Sequence, residues 1–314
     1  MNGTYPLDVN SFQPSDCRLA IPSIAMPFET VTHSLNVPPL DGAYQICVHN
    51  GLLYRCCDYS ILVFDEEIEL RDTIVLDENI CLTGIASHAD VICASSLYTV
   101  RIYRDHKLVC TLNNEEFGFP IVVSHRGLLY ISGGNPIFVF DASQTDYSQS
   151  YSEKAILQGH TSRVRALCSD KNHLYSCSKD NTVRIWNDQN VCIRTVDVGC
   201  SIRKLIKVKD RFYGYFGISF GQLTGVGVWD NDMKRIGSLL DDSEPTALGN
   251  VLCANDDLIY TTAHNSTGSS IKVWNRDHQQ VSEFTGFAEG ESALVLYKDK
   301  LVLSICDGGM HIFT

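Results

Sequence analysis

Short runs of β-branched, leucine and aromatic residues recur along the chain, each closed by glycine, asparagine, aspartate or lysine. No stretch sets its apolar residues at helical spacing strongly enough to compete with them. Seven runs share one pattern, in which two β-favouring residues flank a third of any type and an aromatic and usually a polar residue follow. They are ILVFD (61–65), VRIYR (100–104), IFVFD (137–141), VRIWN (183–187), VGVWD (226–230), IKVWN (271–275) and MHIFT (310–314). Their aromatics, Phe64, Tyr103, Phe140, Trp186, Trp229, Trp274 and Phe313, follow one another at intervals of 39, 37, 46, 43, 45 and 39 residues. A repeat of that length is one four-stranded sheet unit.

Ahead of each run lies a second strand-like segment that opens after a turn. These are LLYRCC, VICASS, LLYISG, LYSCS, FYGYFG, LIYTTA and LVLSIC, the VICASS segment being the weakest in pattern. The chain therefore reads as all-β, a single seven-bladed β-propeller of four-stranded antiparallel blades. Two sandwiches end to end would not require an aromatic at the same place in every interval. Phe313 is followed by one residue, which leaves the last blade without its outermost strand and the ring with an open edge. The one spare β-like segment, Phe28 to His33, is expected to supply that strand and close the ring. Residues 27–314 then form the propeller, and residues 1–26, rich in proline and polar residues, form an N-terminal extension.

The fourth repeat, GHTSRVRALCSDKNHLYSCSKDNTVRIWN (159–187), resembles the WD-repeat family. It has the Gly-His opener, a strand, the Ser-x-Ser-x-Asp turn and the closing Trp-Asn in that order. The other repeats are degenerate, with no second Gly-His and only three closing tryptophans, so the resemblance elsewhere rests on spacing. The resemblance implies a hydrogen-bond chain through His160, Ser176, Asp180 and Trp186. It also implies that residues at the starts of the inner strands line the mouth of a central channel, and that the protein is a non-catalytic interaction scaffold within a multi-protein assembly.

Composition narrows the rest. The 37 acidic and 25 basic residues give a formal charge of −12, which disfavours a broad nucleic-acid grip. One segment departs from this balance, because residues 163–211 hold eleven lysines and arginines against five aspartates. That patch keeps open a second reading, a ribonucleoprotein subunit that touches RNA there. The 13 cysteines are odd in number, scattered and mostly set in apolar runs, as reduced cysteines are, without the paired spacing of zinc ligands. No signal-like or membrane-spanning run occurs, so the expected location is cytoplasmic or nuclear, with no membrane partner.

His160, Ser176 and Asp180 are the residue types of a catalytic triad, but their place in one repeat fits a structural network better. No phosphate-binding loop, dinucleotide fingerprint or His-Glu-x-x-His is present, and no catalytic residue, cofactor or metal is expected. A propeller enzyme with a site in its channel remains a third reading. The inner-strand starts argue against it, being mainly apolar or small rather than histidine and carboxylate. The candidate partner-binding residues are Arg163, Arg165, Arg203, Lys204 and Tyr44, expected at the mouth and suited to an acidic or phosphorylated protein segment. Lys171, Lys179 and Arg184 are expected to be simply solvated. Lengthened loops at 142–152, 217–225 and 264–270 are further candidates for binding.

Overall fold

The computed structural model describes residues 45–57, 59–76, 82–141, 153–217, 225–240, 251–265, 268–287, 291–305 and 309–314. The strands of these residues form seven antiparallel sheets, six of four strands and one of three, each built from consecutive segments. The inner strands are Ile46–His49, Leu82–His88, Ile121–His125, Val164–Ser169, Ser201–Val208, Leu252–Ala254 and Glu291–Tyr297. Each lies against the next and the last lies against the first, so the protein is a closed seven-bladed propeller. The repeated aromatic runs are the third strand of every blade, and the segments ahead of them are the second. A 3-10 turn at Glu115–Phe117 interrupts the β pattern before the third blade. The seventh sheet shows three strands; the segment expected to complete it, Phe28 to His33, and the extension 1–26 lie outside the described residues.

The core is divided by the ring into seven clusters, one at each seam between neighbouring blades. Alternation along each strand explains this, because successive side chains leave opposite faces of a sheet and every blade is covered on both. Cys56 and Cys57 illustrate it: Cys56 packs into the seam with blade 2, Cys57 into the seam with blade 7. The seam between blades 7 and 1 is filled like the others, by Leu53, Phe64, Tyr297, Val302 and Met310 among others.

The polar residue after each aromatic also has a physical role. Asp65, Asn187, Asp230 and Asn275 each accept backbone N–H bonds from the residues two and four positions ahead, at 2.9–3.1 Å. Their side chains thus hold the turn from third to fourth strand in four blades.

Candidate partner-binding site

The fourth blade places its polar residues in one chain. The Trp186 indole N–H donates to Ser176 Oγ at 2.9 Å, Ser176 Oγ lies 2.8 Å from His160 Nε2, and His160 Nδ1 lies 2.9 Å from Asp180 Oδ2. Burial of Asp180 would raise its pKa, but bonds from Thr182, Thr161 and His160 outweigh this and hold it at about 2. Burial lowers His160 from its ordinary value, against the pull of Asp180. A neutral imidazole donating from Nδ1 to the carboxylate and accepting at Nε2 satisfies every member. The order Asp–His–Ser is that of a hydrolytic triad, yet Ser176 is 0% exposed and its oxygen already accepts the indole proton. No substrate carbonyl can reach it.

The arginines lie at the entrance to the channel. Arg163 belongs to the turn ahead of the fourth inner strand, and Arg165 occupies a β-bulge between Val164 and Ala166. Arg203 occupies the same bulge one blade on, between Ile202 and Lys204. A bulge re-aims the side chain of its extra residue, and Arg163, Arg165 and Arg203 together with Ile121 line one pocket of 250 Å³. Arg165, Arg203 and Lys204 also line the adjoining channel cavity of 440 Å³, walled by the inner strands of blades 2 to 5 and by Gln45. Burial, and then the charge of Arg165, lowers the pKa of both Arg163 and Arg203. No carboxylate among the described residues pairs with these three arginines, and Arg165 Nε is buried with no hydrogen-bond partner. Arg163 has local support: its Nη2 donates to the Phe119 carbonyl at 3.3 Å, and its guanidinium lies 5.3 Å from the centre of the Phe119 ring.

The rest of the basic segment is occupied elsewhere. Lys207 bonds to Asp170 at 2.5 Å and lies over the Tyr175 and Phe212 rings, inside the seam between blades 4 and 5. Arg194 pairs with Asp232, Lys209 with Asp257, and Arg211 donates to the Arg276 carbonyl. Arg184 corrects an expectation. It is half-buried rather than simply solvated, with Nη2 donating to the Gly159 carbonyl at 2.8 Å. The Arg184 guanidinium packs into the space a Cβ on Gly159 would take, and the φ of +140° there favours glycine. Tyr44 and the loop 142–152 lie outside the described residues, as does most of the 217–225 turn and the tip of the 264–270 turn.

The family model described as "WD domain, G-beta repeat" matches residues 151–187, the repeat that carries this network. The fourth blade is a WD repeat, set in a seven-bladed propeller. It is similar to the nuclear distribution protein nudF of Emericella nidulans, 33% identical over 89 residues, which are 27% of this chain and 20% of that protein. The chain thus matches about a fifth of that relative's length. Its fold is similar to a chain in a crystal structure of a mitotic checkpoint complex, with a TM-score of 0.72 and 14% identity over 93% of this chain and 96% of that one.

On the mouth face of the propeller, the exposed ring of Phe119 adjoins Arg163, and two further exposed apolar side chains lie on the neighbouring turn. Phe119 is 51% exposed, and Leu97 and Tyr98, in a turn bonded to Gly118 through Tyr98 N at 2.8 Å, are 46% and 44% exposed. Sequence reasoning missed all three. The available signal was the second aromatic of Phe117-Gly118-Phe119-Pro120, which falls outside the repeating pattern: Phe117 is core and Phe119 is surface.

Proposed function

We propose that this propeller is a non-catalytic scaffold that holds an acidic or phosphorylated segment of a partner protein at the mouth of its channel. The observation that carries the reading is the convergence of Arg163, Arg165 and Arg203 on one pocket with no carboxylate partner among the described residues. Guanidinium groups left in this state suit bidentate contact with carboxylate or phosphate. Exposed Phe119 beside Arg163, with Tyr98 and Leu97 on the turn bonded to Gly118, adds the apolar contact typical of protein interfaces. The relatives fit this reading, since the fold is shared with a chain found in a multi-protein complex.

Two observations count against the alternatives. The cations of residues 163–211 are spread over seams and turns, several of them in ion pairs, so they do not form the continuous stripe that RNA phosphates would need. The described lining of the channel cavity has neither carboxylate nor histidine, the groups a channel-centred metalloenzyme would draw on. The proposed setting is the cytosol or nucleus, where thiols such as Cys93, Cys168 and Cys177, raised in pKa by burial, stay reduced.

The test compares proteins captured from a lysate by the wild type and by Arg163→Glu/Arg203→Glu, at low and moderate salt. Loss of an acidic or phosphorylated partner from the double variant is expected. An identical partner set would overturn the reading and direct attention to the 142–152 loop.

A further inference from the structure

The channel beneath the arginines holds a fourth cation that an acidic segment crossing the mouth has no need of. Lys204 follows the bulge residue Arg203 and lines the same 440 Å³ cavity as Arg165 and Arg203. It forms no ion pair among the described residues. Burial lowers the pKa of Lys204, and the titratable group beside it, the Cys253 thiol of the sixth inner strand, is pushed up to about 12 by burial and so offers no counter-charge. An amine recessed among Ala166, Leu205 and Tyr215 without a counter-ion is costly. Nothing in the packing of blade 5 demands it, since the core of both adjoining seams is made by other residues.

Cavity size and charge together define a ligand. A volume of 440 Å³ lies within the range of small-molecule sites, on the order of 300–1,000 Å³. The polar residues that line it are Arg165, Arg203 and Lys204, with Gln45, Thr83 and Ser95, and no described acid opposes them; the Tyr215 hydroxyl is engaged by the Val251 and Thr262 carbonyls in the next seam. An extended protein segment lying over the mouth sends at most a side chain or two inward. A compact molecule with several phosphates can meet cations at two depths at once, those of the mouth arginines and that of Lys204.

We propose that the channel cavity binds a compact polyphosphate, with Lys204 holding the inner phosphate and Arg165 and Arg203 the outer ones, and that this ligand competes with the acidic segment for the arginines. The proposal shares those arginines with the function proposed above and adds a regulatory ligand to it. The shared chemistry is several phosphates within one small molecule, whether on a nucleoside, on a sugar or cyclitol ring, or as polyphosphate itself.

Calorimetric titration of the full chain with inorganic tripolyphosphate, ATP and inositol hexakisphosphate, each against orthophosphate, tests this. Binding of one equivalent is expected, at least about tenfold tighter than orthophosphate for the preferred probe, the preference identifying the source of the phosphates. Lys204→Met should weaken it by about tenfold, the usual effect of deleting one charged hydrogen bond. Arg165→Gln should do the same, which keeps the test valid where Lys204→Met does not fold. Absence of binding, several equivalents bound, or unchanged affinity in a folded Lys204→Met or Arg165→Gln protein would overturn the proposal. Those outcomes leave the acidic-segment reading intact, because that reading falls only when Arg163→Glu/Arg203→Glu keeps its partners.

Discussion

Arg55, in the second strand of blade 1, donates its Nε to the Ser304 hydroxyl of blade 7 at 3.0 Å, so a completely buried guanidinium joins the first blade to the last. Its Nη2 donates to the carbonyls of Ile305 and Gly309 at 3.3 and 3.2 Å. Tyr297 OH donates to the Gly51 carbonyl, and Lys300 Nζ to the Glu66 carbonyl, across the same seam. The seam that joins the two ends of the ring is thus fastened by polar contacts as well as by apolar packing. Arg55→Ala removes several buried charge-assisted bonds and leaves a cavity, with an expected loss of about 3–5 kcal/mol. Urea unfolding measures it, and a loss below about 1 kcal/mol would mean that the guanidinium contributes little to closure.

The blade count, the third strands and the second strands were legible because a strand buried on both faces in a fixed repeat leaves the same apolar pattern each time. The polar residue after the aromatic was legible as part of the repeat, but its capping of the next turn emerged only from the structure. The position of Arg165 and Arg203 in equivalent bulges was not legible, because a bulge depends on how two strands pair and leaves no residue signature. Blade 5 shows a second limit. Its closing Trp229 matches Trp186 in sequence, yet the position corresponding to Ser176 is Gly214, and the Trp229 indole N–H is buried with no partner. A Cβ at Gly214 would lie 2.6 Å from the Lys204 carbonyl, so the close approach of the first and second strands of blade 5 excludes the serine that would complete the network. Blade 6 keeps a version of it, with Trp274 donating to Thr261 Oγ1 at 2.9 Å.

This difference between blades is measurable. Trp186→Phe loses a satisfied donor and strands the Ser176–His160 chain, at an expected cost of about 1–3 kcal/mol beyond the lost packing. Trp229→Phe removes a donor that had no partner and should cost only its lost packing. Equal losses for the two substitutions in thermal or urea unfolding would contradict the network as a source of stability. His160→Ala should destabilise by an amount similar to Trp186→Phe and leave partner binding unchanged in the folded protein.

Stability should fall as the solution is acidified from pH 7 toward 5. Burial is the leading cause of lowered pKa at His49, His88, His125, His160 and His278, with Asp90 opposing it at His49 and His88, and Asp170 and Asp188 at His125. The folded state therefore prefers neutral rings, and this contribution is complete above the unfolded value near 6.5 and is lost as pH drops below it. Asp180, held at about 2, opposes nothing in that window, because its own contribution is present above the unfolded carboxylate value and fades only below it. His88 and His125 are the most informative, both buried with Nε2 unpartnered. Melting temperatures at pH 7.5 and 5.5 should differ less in His88→Gln/His125→Gln than in the wild type; the same drop in both would remove these two rings as its cause.

Salt should separate the two halves of the mouth. Contacts made by Arg163 and Arg203 to an acidic segment are partly exposed and weaken as ionic strength shortens the screening length, to about 8 Å at 0.15 M. Contacts made by Phe119, Tyr98 and Leu97 are apolar and change little with salt. Arg163→Glu/Arg203→Glu should therefore flatten the salt dependence of partner binding as well as weaken it, because the steep component has been removed and its sign reversed. Phe119→Ser should weaken binding while leaving the salt dependence in place, although part of the effect passes through Arg163, whose guanidinium lies beside that ring. Neither change should alter stability by more than about 0.5 kcal/mol, since the positions are exposed or partly so and lie outside the seams. Binding to an isolated partner at three salt concentrations supplies the measurement. If Phe119→Ser and the arginine reversal change the slope equally, the aromatic acts only as a support for Arg163, and the site is electrostatic throughout.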